Sequence, residues 1–263
     1  MKYTMRYILD NRYDKNRGQV RKMAERFVIM SAITKFVSPA PTYILLNFGV
    51  HPDTVTIASF IFIVFAAFLF VIGQPVLAVC SLLVFAVLDS VDGDMARCVG
   101  PTKHGCTLDS FGADFFYAVV PVSIGYYLFS IGVGVWNLSP AIIIFSSALV
   151  SLSFLLYRLF NAKVDVFRAS LPAGASNHSQ MAKETIRVKG IRLMLELYRH
   201  VIIRGNFFSE AGMIFWFSLL VLLNRFEILA GYLIVLLAYN LIYLLMNFVG
   251  INIYLVRAEK INF

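Results

Sequence analysis

The chain has 263 residues, of which 59% are hydrophobic and 14% charged, with a formal net charge of +8. Soluble domains carry roughly a quarter charged residues and rarely exceed about half apolar, so one large soluble core is excluded and the mean hydropathy of +0.76 points to a membrane. The basic excess then belongs to loops held against anionic headgroups, and no nucleic-acid partner is implied.

Residues 1–26 are polar and basic, without the apolar core of a cleavable signal peptide. Arg17–Val37 mixes Arg21, Lys22, Arg26 and Lys35 with Met23, Phe27, Met30 and Ile33, the pattern of an interfacial amphipathic helix. Phe27–Val37 is too short to span and is interrupted by Lys35. The first predicted span is Asp53–Ile72, with Pro52 before it and Asp53 or Thr54 to cap it. Val76–Cys98, Thr107–Val133, Ser139–Asn161, Ser209–Leu223 and Glu227–Val256 follow, each an apolar run suited to a bilayer of about 20 helical residues. Leu171–Ser179 is a Pro/Gly/Ser-rich loop, and Met181–Ile203 reads as a second surface helix carrying Lys183, Arg187, Arg192 and Arg199. The fold class is thus all-α integral membrane: six transmembrane helices with cytoplasmic amphipathic surface helices.

Six spans put both termini on one side, and 22 of the 23 Lys and Arg residues fall on that side, Arg225 alone on the other. Basic loops stay in the cytoplasm. The expected layout is a cytoplasmic N-terminal segment (1–52), a six-helix catalytic domain (53–256, with a cytoplasmic loop at 163–208) and a cytoplasmic tail (257–263). Cys80, Cys98 and Cys106 have neither a disulfide framework nor zinc spacing and read as reduced.

Four carboxylates sit where a bilayer excludes them: Asp89 and Asp92 near the end of span 2, Asp109 and Asp114 near the start of span 3. A charge in a spanning helix costs about 3 kcal/mol or more, which makes each a functional candidate. Asp94 reads instead as a helix-end charge reaching the interface. Asp89 and Asp92, three residues apart, share a helix face. Gly93 and Ala96 keep that face narrow, and the short loop 99–106 returns the chain to the same depth. Four carboxylates at one level call for a cation, and oxygen-only ligands favour Mg²⁺, Mn²⁺ or Ca²⁺. Such a metal beside a cytoplasmic opening suits a diphosphate.

Asp89-x2-Asp92-Gly93-x2-Ala96-Arg97, followed by Gly105-x3-Asp109, resembles the signature of the CDP-alcohol phosphotransferases (CDP-alcohol phosphatidyltransferases), and His51–Thr56 resembles the start of their first span. The resemblance implies transfer of a phosphoalcohol, or phosphatidyl, group from a CDP-alcohol donor to an acceptor hydroxyl, with release of CMP, in phospholipid or related phosphodiester synthesis. It implies Mg²⁺ (or Mn²⁺) on Asp89, Asp92, Asp109 and Asp114, with Asp114 also the base. It implies Gly93, Ala96, Arg97 and Gly105 around the cytidine diphosphate, a cytoplasmic active site, and a homodimer. One departure stands out: Asp109 and Asp114 are five residues apart where the family has four. A π-bulge near Ser110–Ala113 would realign them; without it they diverge by about 140°.

Arg158, at the end of span 4, is placed either to meet an anionic acceptor such as a polyol phosphate or to snorkel to the interface. Arg187, Lys189 and Arg192 read as a surface-helix face, His104 and His178 as loop histidines, and Asn240 and Asn247 as groups bonding between helices. Two other classes compete. Intramembrane prenyltransferases also hold a diphosphate with Mg²⁺, but their Asp motifs lack the Gly-x2-Ala-Arg continuation. A cation transporter needs carboxylates near the midplane, whereas these cluster at one end.

Overall fold

The computed structural model describes residues 3–11, 28–100, 102–170 and 205–261. They form α1 (Met5–Asn11), α2 (Ile29–Val37), α3 (Pro39–Asn47), α4 (Pro52–Val71), α5 (Pro75–Val99), α6 (Lys103–Ser130), α7 (Pro140–Ser170), α8 (Glu210–Leu222) and α9 (Phe226–Ile261). Among the described residues, β-type pairing is limited to an isolated bridge between Val135 and Leu138. Cys80, Cys98 and Cys106 are all free thiols.

Six helical runs are long and apolar enough to cross a bilayer: Ile29–Asn47, Pro52–Val71, Pro75–Val99, His104–Ser130, Pro140–Val164 and Phe226–Met246. The chain is a multi-pass integral membrane protein. The count of six agrees with the sequence expectation, but one member differs. The expected fifth span is α8, whose 13 residues rise only about 20 Å, short of the roughly 30 Å hydrocarbon core. Its place among the six is taken by α2 with α3. The sequence breaks this run at Lys35 and Pro39, yet Ser38 is helical (φ −60, ψ −28) and Pro39 sits in the first turn of α3, where no backbone N–H is needed. The expected loop Leu171–Ser179, the surface helix Met181–Ile203 with Arg187, Lys189 and Arg192, and His178 lie outside the described residues.

α4 packs along α5 and α6, α7 along α6, α9 along α7, and α8 against α5 and α2. Lipid offers apolar side chains no gain on association, so helices meet through small residues and close packing. α4 shows the division. Its inner face buries Val55, Ser59, Ile63, Ala66 and Phe70, while Ile57, Ile61, Phe65, Phe68 and Ile72 stay exposed along the opposite face. Ser81 Oγ donates to the Phe62 carbonyl across the α4–α5 contact at 2.8 Å. A Cβ on Gly125 would collide with Ser147, so α6 and α7 cross closely there. The N-terminal segment also joins the body: Ile8 and Leu46 share a buried cluster with Val55, Val91 and Met95.

Candidate active site

The motif residues occupy the last turns of α5 and the first of α6, and the turn between them is tied to the start of α4. Gly100, at φ +101, ends α5 in a conformation that disfavours a side chain. Thr102 then caps α6, its Oγ accepting from Gly105 N at 2.8 Å and donating to Asp53 Oδ1 at 3.0 Å. α6 therefore begins four residues earlier than expected. Neither Asp53 nor Thr54 caps α4: His51 Nδ1 accepts from Asp53 N at 3.3 Å, which leaves the Asp53 carboxylate for Thr102, with His104 at 3.4 Å. A Cβ on Gly105 would lie 2.6 Å from Asp53 Oδ1, so any larger residue there would push the Asp53–Thr102 tie aside.

This turn encloses a cavity of about 100 Å³ lined by Asp92, Gly93, Ala96, Gly105 and Asp109, together with Asp53 and Thr56. Five of the predicted site residues thus share one cavity, of a size for a phosphate group. Arg97 lies over Gly93, where a Cβ would stand 3.4 Å from its Nη2. Its guanidinium donates to Asp94 Oδ1 at 2.6 Å, and Ser38 Oγ donates to the other Asp94 oxygen at 2.6 Å. Asp94 is only 1% exposed. It is no interfacial charge, as the sequence suggested, but a buried anchor that orients Arg97 and ties α5 to the α2–α3 junction.

Asp89 opens on a second cavity of about 250 Å³, shared with Lys35, Ser90 and Glu210. Asp89 interacts electrostatically with Asp109 and Arg97, and Asp92 with Asp89 and Asp109. Glu210, in the first turn of α8, shares the Asp89 cavity and interacts electrostatically with Asp89, Asp109 and Arg158. Neither Glu210 nor Asp53 was among the predicted site residues. The signal for Glu210 was present, a lone acid heading the apolar run EAGMIFWF. The signal for Asp53 was not, because its partners lie about fifty residues away.

No π-bulge realigns Asp109 and Asp114: α6 is α-helical without interruption from Lys103 to Ser130. The five-residue step leaves the two side chains about 140° apart. Asp109 lines the motif cavity, whereas Asp114 forms an ion pair with Arg158 of α7. Arg158 Nη2 also donates to the carbonyl and hydroxyl of Ser110 at 3.2 Å.

For a divalent cation the donor chemistry fits. Asp89, Asp92 and Asp109 supply hard oxygens within one another's field, and Asp92 Oδ2 is buried without a hydrogen-bond partner. Among the described residues, no three His, Cys, Asp or Glu side chains stand in a closed metal-holding set.

The family model described as CDP-alcohol phosphatidyltransferase matches residues 49–182, just over half of the chain. No curated protein matches the chain, and no solved structure does. The chain belongs to the CDP-alcohol phosphatidyltransferase family, whose members transfer a phosphoalcohol group from a CDP-alcohol.

Proposed function

We propose that this family member catalyses attack of an acceptor hydroxyl on the β-phosphorus of a CDP-alcohol at the α5–α6 carboxylates, serving phospholipid or related phosphodiester synthesis. The observation that carries the reading is the single cavity shared by Asp92, Gly93, Ala96, Gly105 and Asp109, with an orphaned Asp92 oxygen.

Asp89, Asp92 and Asp109 would hold Mg²⁺ or Mn²⁺, which when bound neutralises the diphosphate and its departing oxygen; Asp114, turned toward Arg158, is left out of that set. Gly93, Ala96 and Gly105 leave room for the donor's diphosphate to approach the backbone. Arg97, braced by Asp94, faces that diphosphate with a fixed positive charge. Asp114 accepts the proton of the acceptor hydroxyl, held by Arg158 on the flank of α6. The hydroxyl oxygen forms the new P–O bond as the bond to the CMP phosphate breaks, and CMP leaves with that electron pair. Such transfers depend chiefly on positioning and charge. The prenyltransferase and transporter readings assign no part to Gly93, Ala96, Arg97 and Gly105.

With α8 as the fifth crossing and α2–α3 as an interfacial segment beside the end of α5, where Thr34 meets Ser90 and Ser38 meets Asp94, the Lys and Arg distribution supports termini and active site in the cytoplasm; reporter fusions at both ends should report the cytoplasm. The homodimer implied by the family is checked by cross-linking in native membranes. The function itself is tested by supplying membranes containing the protein with radiolabelled CDP-diacylglycerol, CDP-choline, CDP-ethanolamine and related donors in Mg²⁺ or Mn²⁺. CMP release that depends on an added acceptor is expected; its absence with every donor would sink the reading.

A further inference from the structure

We propose that the cavity bounded by α6, α7, the start of α8 and α9 is the acceptor subsite, and that Asn240 there recognises a neutral, hydroxyl-rich acceptor; this rests on the transferase reading above. The cavity measures about 170 Å³ and includes Arg158, Ser153, Ser209, Asn240 and Tyr243 in its lining. Arg158 is the residue paired with Asp114, so a ligand seated here lies one side chain away from the proposed base. Its volume is below the roughly 300–1,000 Å³ of cavities that hold drug-sized molecules, which suits a small headgroup and not a nucleotide.

Asn240 supplies the second observation. The sequence assigns it an interhelical bond, yet it is 7% exposed and its Nδ2 is buried without a partner. Buried amides are nearly always hydrogen-bonded, and an orphan calls for an explanation. An amide N–H donor aimed into a cavity pairs with an oxygen lone pair. The other polar groups of known bonding are committed. Ser153 Oγ donates to the Val150 carbonyl at 2.7 Å, and Ser209 Oγ to the Gly205 carbonyl at 2.5 Å. The Arg158 charge is matched by Asp114, and its Nη2 is held by Ser110. Arg158 is the sole Lys or Arg among the described residues lining this space. An anionic acceptor would therefore lose its water without gaining an unmatched cation, whereas neutral hydroxyls satisfy the amide. This departs from one of the two sequence readings of Arg158, that it meets an anionic acceptor such as a polyol phosphate.

The experiment measures acceptor KM for the purified full chain at a fixed, saturating CDP-alcohol. Glycerol and myo-inositol serve as neutral probes, glycerol 3-phosphate and an inositol phosphate as anionic ones. Wild type should accept a neutral polyol, and Asn240→Ala should raise that acceptor's KM roughly tenfold, the scale of one lost neutral hydrogen bond, with the donor KM unmoved. If Asn240→Ala does not fold, Asn240→Ser gives the same comparison. Preference of the wild type for an anionic acceptor, or an unchanged acceptor KM in the variant, overturns the proposal. Should wild type turn over no donor at all, the transferase reading fails separately. Thermal unfolding then decides this one: polyol stabilisation of wild type that is lost in Asn240→Ala supports the subsite, and no polyol effect on wild type overturns it.

Discussion

Arg158 of α7 pairs with Asp114 of α6, and the same guanidinium donates to the carbonyl and hydroxyl of Ser110, one turn earlier on α6. One side chain thus clamps the Ser110–Asp114 face of α6, and its charge also acts on Asp109. The two carboxylates, only five residues apart, differ in that Asp114 is held in the ion pair while Asp109 lines the motif cavity.

Replacing Arg158 separates activity from stability. The paired side chains are 32% and 41% exposed, and ion pairs this open contribute about 0–1 kcal/mol. Arg158→Ala should leave the melting temperature in detergent nearly unchanged while CMP release falls at least about tenfold, because the base loses its position. Arg158→Lys should recover only part of the rate, since an ammonium lacks the fork that spans Asp114 and Ser110.

Asp89→Asn and Asp92→Asn keep the shape of the carboxylates and remove their charge. Each should lower CMP release by about a hundredfold or more, the scale of several kcal/mol of metal-borne charge stabilisation. Chelation should silence the wild type, and Mg²⁺ or Mn²⁺ should restore it. Full activity in Asp89→Asn would overturn the site assignment.

Two glycines of α6 form a matched pair. Gly105→Ala places a Cβ 2.6 Å from Asp53 Oδ1 and 2.9 Å from Thr102 Oγ1, so the tie between α4 and α6 must open. Lower thermal stability and lower activity are expected. Gly112→Ala meets nothing within 4 Å and should be neutral or stabilising by up to about 1 kcal/mol, the helical preference of alanine over glycine. Equal losses in both variants would show that the tie has no special importance.

Asp94→Ala leaves Arg97 and Ser38 facing an empty, buried space. Breaking a buried pair from one side costs about 3 kcal/mol or more, and thermal unfolding should report that loss. Activity should fall with it, because Arg97 loses its brace over Gly93. A variant as stable as wild type would mean that Asp94 does reach solvent, as the sequence suggested.

Glu210 lies beyond the stretch matched by the family model, yet it shares a cavity with Asp89 and interacts electrostatically with Asp109. Glu210→Gln should lower CMP release by about ten- to a hundredfold, the usual effect of losing a group that supports metal ligands. Its melting temperature should stay close to that of wild type. Wild-type rates in this variant would place Glu210 outside the reaction centre.

Most of the membrane architecture and half of the site were legible in the chain alone, for reasons of range. A span is a local property of some twenty residues, and the face shared by Asp89 and Asp92 follows from a three-residue step on one helix. Gly93 and Ala96 follow on the same helix, Gly105 stands in the first turn of the next, and all three line the motif cavity. Tertiary structure alone decided the remainder, because it depends on partners far along the chain. Ser38 buries Asp94 from α3's edge, Thr102 draws Asp53 to the turn, and α8 brings in Glu210. The spacing of Asp109 and Asp114 showed that they differ from the family pattern. Only the uninterrupted α6 and the arrival of Arg158 from α7 settled which way each one turns, since a helix's register is local and its neighbours are not.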